Sequence, residues 1–489
     1  MMLRPVHIFA ALIALVAPGL LAGCTTAPAT GRTFFSGGMS AEDEARLGLQ
    51  EHQKIVPQFG GVYENAELGA YIASIGNLLA RTSEIPNQKF TFTVLDSPIV
   101  NAFALPGGYV YVTRGLLALA ESEAEVAGVL AHEIGHVAAR HSAERYGQNV
   151  AAKIAGVGLG VLFGNKAVSD TFTAASSIAL RSFSREQEYE SDLLGVRYLS
   201  RAGFDTNAMA GFLSRLQADS RLQAELAGQP GRVDEFNIMQ THPRTADRIQ
   251  RAIAQAGAAP VKDPIIGRGV FLGKIDGMLY GDNPDQGLIR GRKFLHPNLR
   301  FAFTVPEGFR LANSSQRVVA SGPEGAGILF DQVSQPGGGT MSAYLTQVWA
   351  KGVTVQGVEA ITINGMVAAT GQVSVNGRSG PRDLRLIAIR YDDKTVYRML
   401  FVTPPKLTES LSRPLRGTTY SFRKLSAAEA AAVKPWRLVL HKVRSGETAS
   451  KLAKRMPFPD FQLKRFLVLN GLAENNPLPV GRKVKLVVE

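Results

Sequence analysis

The sequence has very little cysteine. Its 489 residues include one, Cys24. A disulfide framework and a zinc site built from thiolates are therefore excluded, because each needs at least two sulfur atoms. No uninterrupted apolar run of about 18 residues follows the first 25 positions, which argues against several membrane-spanning helices. The length predicts two to four domains at roughly 100 to 200 residues each.

Basic residues are unevenly distributed. Residues 25–260 carry 20 Lys and Arg against 24 Asp and Glu, whereas residues 261–489 carry 33 against 17. A basic segment of this kind favours nucleic acid, anionic lipid headgroups or cell-wall polymers, or is a solvated face with no specific partner. The export signal described next argues against nucleic acid.

The lone cysteine follows a secretory signal pattern, with Arg4 in a short n-region and an apolar stretch over residues 8–21. Leu-Ala-Gly-Cys at its end resembles the bacterial lipoprotein box. The resemblance implies a signal peptide over residues 1–23 and a diacylglycerol on the sulfur of Cys24. Because Thr25 replaces an inner-membrane-retaining aspartate, we expect a periplasmic protein anchored to the outer membrane. The alternative is an ordinary signal peptide with an incidental cysteine.

Apolar periodicity divides the rest of the chain into segments. Residues 24–40 are interpreted as a lipidated tether, and 41–258 as a mainly helical domain with a small sheet. Two strands are expected within 102–113, around Pro106-Gly107-Gly108. Ser122 and Glu125 form a capping-box pattern that predicts a helix from about Glu123. Residues 265–425 are interpreted as an α+β domain with an antiparallel sheet, and 434–489 as a final small module. Strand candidates in the α+β domain are 301–305, 327–333, 360–375, 382–391 and 395–402, with a helix at 341–348.

The strongest chemical motif lies inside the predicted capped helix and reads His132-Glu133-Ile134-Gly135-His136. Residues four apart on a helix share a face, so both imidazoles can reach one metal while Glu133 lies beside it. Surface histidines are the structural alternative, but the flanking residues are apolar and would bury these polar groups without partners.

Two imidazoles leave a catalytic zinc one protein ligand short, because its last position is kept for water. No His-x-x-Gly-x-x-His extension follows the pentad, which excludes a three-histidine metzincin. Residues 186–192 offer several carboxylates on a second predicted helix. Composition alone does not select among them.

Further motifs occur in a fixed order along the chain. They are Asn101-Ala102-Phe103-Ala104-Leu105-Pro106-Gly107-Gly108, the pentad, Glu188-Tyr189-Glu190-Ser191-Asp192, Thr241-His242-Pro243 and Arg248. Together they resemble the gluzincin family of the CAAX prenyl endopeptidase, the Oma-type and HtpX proteases and the periplasmic BepA-type proteases. The resemblance covers residues 40–255 and is nearest to the exported BepA-type branch, although no tetratricopeptide pattern follows.

This resemblance implies roles for particular residues. Glu188 would be the third ligand of one zinc ion, with Asp192 orienting His132 and Glu133 acting as general base. Asn101 would lie on an edge strand where extended substrate adds, or is a turn-capping residue. His242 would either stabilise the oxyanion or occupy the open metal position as an inhibitory plug, unless it only starts a helix.

Two neighbouring carboxylates and one apolar stretch receive weaker interpretations. Glu186 and Glu190 are read as ordinary solvated helix residues. Residues 150–164 are too short to span a bilayer and are compatible with a lid, a membrane-facing helix or a buried helix.

The C-terminal segment carries a second resemblance. The motifs are His441 to Thr448, Leu452-Ala453, Leu469-Asn470-Gly471-Leu472, Leu478-x-x-Gly481 and Val484-Lys485-Leu486. They resemble a LysM domain, a βααβ fold that binds N-acetylglucosamine polymers such as peptidoglycan. Glu447 replaces the usual aspartate, so a degenerate module that packs on the protease is the alternative.

The sequence therefore predicts an α+β protein that is a zinc-dependent metalloendopeptidase, lipid-anchored in the bacterial envelope. Its expected substrates are extended or misfolded envelope proteins, its further partners the membrane through Cys24 and peptidoglycan through the C-terminal module, with no nucleic acid. A non-catalytic envelope scaffold lipoprotein with a peptidoglycan-binding tail is the main alternative. A peptidoglycan hydrolase is a third hypothesis, which rests only on the LysM-like tail.

Overall fold

The computed structural model describes residues 23–151, 182–231, 233, 242, 246–258, 260–335, 337–377, 380–474 and 477–489. Most of the predicted signal peptide and of the apolar stretch 150–164 therefore lies outside the described residues. Among the described helices, none combines the length and the hydropathy needed to cross a bilayer. The chain divides into two compact units, one built mainly from Gly61–Met278 with Leu438–Val488, the other from Leu279–Arg437.

The described residues form helices and strands in both units, so the α+β class is confirmed. The numbered helices are α1 (Ala41–Gln58), α2 (Ala66–Thr82), α3 (Arg114–Leu119), α4 (Glu123–Ala138), α5 (Arg185–Ala202), α6 (Asn207–Leu226), α7 (Ala246–Ala258), α8 (Arg268–Ile275), α9 (Pro405–Ser421), α10 (Ala427–Ala432), α11 (Ala449–Ala453) and α12 (Gln462–Leu469). A short α-helix (Met341–Ala343) and a π-helix (Tyr344–Trp349) follow one another where a helix was predicted over 341–348. The strands are β1 (Cys24–Thr26), β2 (Thr33–Phe35), β3 (Thr91–Leu95), β4 (Ala102–Leu105), β5 (Tyr109–Thr113), β6 (Leu279–Tyr280), β7 (Leu288–Arg290), β8 (Lys293–His296), β9 (Phe301–Thr304), β10 (Arg310–Asn313), β11 (Val318–Ser321), β12 (Gly327–Ser334), β13 (Gln356–Ile363), β14 (Met366–Gly377), β15 (Gly380–Arg390), β16 (Thr395–Thr403), β17 (Arg423–Lys424), β18 (Trp436–Lys442) and β19 (Lys483–Val488).

In the first unit, helices pack around a small sheet of strand order β3-β5-β4. β4 and β5 are antiparallel, as predicted, and the turn between them needs its glycines. Gly107 has a φ of +80°, and a Cβ there would lie 2.7 Å from the Cα of Ala45 in α1. The Pro-Gly-Gly turn therefore lets α1 pack closely on the sheet.

The pentad His132 to His136 lies on α4, which begins at Glu123 as predicted. Only half of the expected capping box forms. The Ser122 side chain accepts from the Glu125 amide, but the Glu125 carboxylate accepts from the amide of Glu121 at 2.7 Å. Arg140 then adopts a φ of +54°, which separates α4 from a second helical stretch over residues 141–151.

Residues 24–40, expected to form a tether, contain an antiparallel hairpin instead. Cys24 is exposed on β1. Phe34 of β2 and Met39 are buried in an apolar cluster with Ala143 of the helical stretch 141–151. A Cβ on Gly147 of that stretch would lie 1.9 Å from the Phe35 carbonyl oxygen. The backbone of the helical stretch therefore packs directly against the backbone of β2. Small-residue composition alone did not reveal this packing.

The C-terminal module has the order β18, α11, α12 and β19, which agrees with the expected βααβ fold. Within the first unit it packs against the pentad-bearing domain. Lys485 of β19 is fully buried, and its Nζ donates to the carbonyl oxygens of Ala118 (2.8 Å), Leu119 (3.2 Å) and Ala120 (2.7 Å) at the end of α3. The same ammonium lies 3.0 Å from Glu121 Oε1.

Other contacts of this module involve α6. Lys464 of α12 pairs with Glu225 at 2.6 Å. At Gly471 a Cβ would lie 1.6 Å from Arg215 Nη1, and Arg215 in turn donates to Glu125 of α4 at 2.7 Å. The C-terminal module is thus fixed beside the first turn of α4.

The second unit, built mainly from Leu279–Arg437, contains helices and strands and begins later than the α+β domain predicted over 265–425, because α8 belongs to the first unit. Its antiparallel sheet has the strand order β10-β11-β12-β16-β15-β14-β13. The single strand predicted over 360–375 is two strands, because Asn364 (φ +46°) and Gly365 (φ +81°) form a tight turn between them. A smaller sheet of order β17-β9-β8-β7 shares its aromatic core, which includes Phe301, Phe330 and Tyr397.

Candidate metal centre

Two helices supply the core of the site. α4 carries His132, Glu133 and His136, and α5 carries Glu188 and Asp192 at the four-residue spacing that shares a helix face. The two helices approach closely because each has a glycine at the contact. A Cβ at Gly135 would lie 3.2 Å from the Ser191 carbonyl oxygen, and one at Gly195 would lie 3.3 Å from the His132 amide nitrogen. Close packing therefore directs the two carboxylates towards the histidines.

Four donor groups converge at this contact. The ligand atoms of His132, His136, Glu188 and His242 all lie within 4.8 Å of one another. His132 Nε2 is 3.0 Å from His136 Nε2 and 3.6 Å from Glu188 Oε2. His242 Nδ1 is 3.0 Å from Glu188 Oε1 and 3.3 Å from His132 Nε2. The structure thus brings together the three sequence-predicted ligands and His242.

These residues fit a divalent cation such as zinc. All four donors are buried, with Glu188 0% exposed. Imidazole nitrogens facing one another at 3.0 Å, with a carboxylate beside them, are the donor set that zinc prefers. Glu133 is 1% exposed, and neither of its carboxylate oxygens has a hydrogen-bond partner among the described residues. A buried carboxylate in this condition is costly unless a cation or a bound water meets it.

Asp192 holds His132 from behind. Its Oδ1 lies 2.9 Å from His132 Nδ1, which leaves Nε2 of that ring to face the other donors. Arg248 of α7 donates to both oxygens of Asp192 at 2.7 Å and also contacts Glu188. Burial alone would raise the pKa of Asp192, but the Arg248 charge outweighs it and the pKa is lowered.

The local electrostatics separate the two glutamates. Burial raises the pKa of Glu133 above its usual value. Burial also opposes ionisation of Glu188, but the charges of His242 and Arg248 prevail and hold the pKa of Glu188 well below its usual value. Burial lowers the pKa of His136, which favours the neutral, ligating imidazole. One carboxylate is thus suited to hold a metal and the other to take up a proton.

Asn101 precedes β4, a strand at one edge of the described sheet, and is 6% exposed. Its backbone amide donates to Thr113 Oγ1 at 3.1 Å, and its backbone carbonyl accepts from the Thr113 backbone amide at 3.0 Å. β4 packs against α4. Asn101 thus lies just before a strand that packs on the pentad helix, and its role in substrate binding stays a prediction.

Sequence reasoning missed part of the site. Glu190 is not a solvated helix residue, because its Oε2 lies 2.8 Å from Nε2 of the fully buried His141. His141 Nδ1 is in turn 2.8 Å from His136 Nδ1. Glu186 is exposed, as expected. No sequence signal marks this contact, because the helix break at Arg140 that brings His141 back beside α4 carries neither glycine nor proline.

Known proteins resemble this chain in two separate regions. Residues 67–256 match the family model described as Peptidase family M48, and residues 441–487 match the LysM domain model. The first match contains all four converging donors. The second coincides with the βααβ module.

Curated relatives resemble the first region. The mitochondrial metalloendopeptidase OMA1 of Schizosaccharomyces pombe is 30% identical over 242 residues, which cover 46% of this chain and 64% of that protein. The Beta-barrel assembly-enhancing protease of Yersinia pestis is 35% identical over 195 residues, or 38% of each chain. Its counterpart from Escherichia coli (strain K12) is 32% identical with the same coverage. This chain therefore spans between 38% and 64% of the length of these relatives.

Proposed function

We propose that the protein is a zinc-dependent metalloendopeptidase of the bacterial envelope, because residues 67–256 match the Peptidase family M48 model and residues 441–487 match the LysM domain model. One observation carries the proposal. The buried Glu133 carboxylate, which accepts no hydrogen bond from the described residues, lies beside a convergent set of imidazole and carboxylate donors. That arrangement supplies both the metal ligands and the proton carrier that peptide hydrolysis requires.

Each residue has a distinct part in the proposed reaction. His132, His136 and Glu188 would hold zinc, which when bound polarises the scissile carbonyl and activates a water molecule. Glu133 accepts the proton of that water and delivers it to the leaving amine. Its burial makes the carboxylate a better base, as its raised pKa indicates. Asp192 keeps the Nδ1 proton on His132, so that Nε2 stays available as a ligand.

Substrate is proposed to bind as an added strand. β4 lies at a sheet edge and packs on α4, so an extended peptide paired with it would run beside the pentad. Asn101, directly before this strand, would fix the register of such a peptide. This mode selects unfolded segments over compact proteins, because only an extended backbone can complete the sheet.

For His242 we favour the inhibitory reading. Its Nδ1 lies within 3.3 Å of ligand atoms of His132 and Glu188, while its Nε2 is 3.5 Å from Glu133 Oε1. A fourth protein donor at this distance closes the position that a catalytic metal keeps for water. The described arrangement thus supports a resting state that His242 must leave before substrate is cleaved.

The envelope location rests on the two ends of the described chain. Cys24 is exposed on β1, where an acyl chain could leave the protein surface, and the LysM domain offers a module for peptidoglycan. Two of the relatives are named Beta-barrel assembly-enhancing protease, which supports envelope proteins as the substrates. The proposed function is therefore that of a lipid-anchored, outer-membrane protease that acts on extended or misfolded envelope proteins.

The decisive experiment compares Glu133→Gln with Glu186→Gln, an exposed carboxylate on α5. Casein cleavage and zinc content are measured on purified protein. We expect the Glu133 variant to retain about one zinc per chain and to lose activity by several orders of magnitude, because only the proton carrier is removed. The Glu186 variant should behave as wild type.

Two outcomes would overturn the proposal. Near wild-type cleavage by Glu133→Gln would show that Glu133 is not the base. A wild-type protein that binds zinc but cleaves no unfolded protein, even with His242→Ala, would favour the scaffold hypothesis instead.

A further inference from the structure

A chain of hydrogen bonds leads away from His136 on the side opposite the converging donors. His136 Nδ1 is 2.8 Å from His141 Nδ1, and His141 Nε2 is 2.8 Å from Glu190 Oε2. Arg32 donates to the same Glu190 oxygen at 3.3 Å. The chain therefore runs from a candidate ligand on α4, through a buried histidine and α5, to the N-terminal hairpin.

The direction of these bonds follows from the position of His136. Its Nε2 faces the donors, 3.5 Å from Glu188 Oε1, so a ligating ring must carry its proton on Nδ1. That proton can be donated only if His141 presents an unprotonated Nδ1. Its remaining N–H, on Nε2, then points at the Glu190 carboxylate. Each bond fixes the tautomer of the next ring.

His132 and His136 are thus supported in two different ways. Asp192 Oδ1 lies directly beside His132 Nδ1, at 2.9 Å, whereas Glu190 reaches His136 only through His141. Both arrangements end on an arginine, Arg248 in the first and Arg32 in the second. Carboxylates that accept from the far nitrogen of a ligating imidazole fix the ring and raise its basicity.

Packing keeps His141 in place. The residue follows Arg140, whose φ of +54° turns the chain back so that His141 lies against α4, and its side chain is 0% exposed. The ring of Phe183 stacks on His136 with centroids 3.8 Å apart. His136 is therefore held between an aromatic face and the His141 hydrogen bond.

Several contacts also define the end of the hydrogen-bond series that lies at the N-terminal hairpin. Arg32 precedes β2 and forms two parallel bonds with Glu144, at 2.7 and 2.8 Å. Glu144 lies in the helical stretch 141–151 and also accepts from Gln187 of α5 at 2.7 Å. Arg32 thus joins the segment that follows Cys24 to both helices that carry the chain of hydrogen bonds.

We propose that His141 is a positioning residue for the metal ligand His136, and that Glu190 and Arg32 of the N-terminal hairpin fix its tautomer and orientation. The inference rests on the proposed metal site. The segment after Cys24 thereby gains a second role. It strengthens metal binding, in addition to linking the metal centre to an anchor. Loss of such support typically weakens metal binding by roughly 10- to 100-fold.

The test measures zinc affinity by competition with a chromophoric chelator, on the full chain. Four variants are compared: His141→Leu, which removes the acceptor; His141→Gln, whose amide oxygen can still accept; Arg32→Gln; and Arg46→Gln, an exposed arginine of α1, as control. We expect about a 10- to 100-fold loss for His141→Leu, partial restoration by His141→Gln, a few-fold loss for Arg32→Gln and no change for the control. Thermal unfolding of the metal-free proteins is recorded in parallel.

The outcomes separate this inference from the proposed function. A wild-type protein without measurable zinc affinity would overturn the metal site itself. Normal zinc binding by wild type together with unchanged affinity in His141→Leu and Arg32→Gln would overturn only the positioning role. Equal losses in His141→Leu and His141→Gln, matched by lower stability of the metal-free forms, would assign His141 to packing. If His141→Leu does not fold, the Gln and Arg32 variants still decide.

Discussion

The contact between Lys485 and the end of α3 yields the sharpest prediction, because it combines full burial with a defined charge. The ammonium meets three carbonyl groups and Glu121, all within 3.2 Å. Replacing Lys485 with Met keeps the approximate length of the side chain and removes the charge and the donors. Lys483, exposed on the same strand, gives the matched control Lys483→Met.

At neutral pH we expect Lys485→Met to be destabilising. Removing one member of a buried ion pair costs about 3 to 5 kcal/mol, because the other charge stays buried. Glu121 is 7% exposed but keeps Arg268, whose Nη2 lies 2.6 Å from its second oxygen. Because Arg268 remains, we expect the free energy of unfolding to fall by an amount near the lower limit, about 3 kcal/mol. This corresponds to roughly a 100-fold shift in the unfolding equilibrium constant.

The pH dependence has a defined sign. Burial lowers the pKa of Lys485 from 10.5 to about 8, against the opposing effect of Glu121. Between these two values the unfolded chain binds the proton and the folded chain does not. Wild-type stability relative to Lys485→Met should therefore increase between pH 7 and pH 10.

The assay is urea unfolding at several pH values, with hydrogen exchange by mass spectrometry on peptides that cover 114–121 and 483–488. Exchange localises the loss to the contact between the C-terminal module and α3. Equal stability of Lys485→Met and Lys483→Met at pH 7 would refute the energetic reasoning. A stability difference that shrinks with rising pH would show that the ion pair with Glu121, and not burial, governs the lysine.

Two further predictions concern the active site and the anchor. His242→Ala should retain zinc and increase basal casein cleavage, because it opens the position that the imidazole closes; a roughly 10²- to 10³-fold decrease would show instead that His242 stabilises the oxyanion. Cys24→Ser should abolish incorporation of a radiolabelled fatty acid and release the protein from the membrane fraction, since thioether formation requires the thiol, and label that persists in the Ser variant would exclude lipidation.

The sequence predicted best where a local pattern has a single structural solution. The pentad spacing, the cap at Ser122 and the Pro-Gly-Gly turn each specify their own geometry, and α4, β4 and β5 lie where these signals place them. Resemblance, not periodicity, selected Glu188 among the carboxylates of α5. The structure places it with the pentad histidines, while its role as a ligand stays a prediction.

The missed features depend on contacts between distant segments. The apolar residues of the 24–40 segment are few, so their burial against Ala143 leaves no periodic pattern. Glu190 looks like any helix carboxylate until His141 and Arg32 arrive from elsewhere in the chain. In the second unit, α9 carries Pro414 in its interior, a residue that weakens helical propensity, and was not predicted.

The Lys485 contact also bears on the order in which the chain folds. It joins residues that are 365 to 367 positions apart, so nearly the whole chain must emerge before α3 receives its ammonium partner. Until then the pentad-bearing domain buries Glu121 with one cationic neighbour fewer, and contacts of this sequence separation form slowly. The contact is thus among the last that the first unit can form as the chain is made.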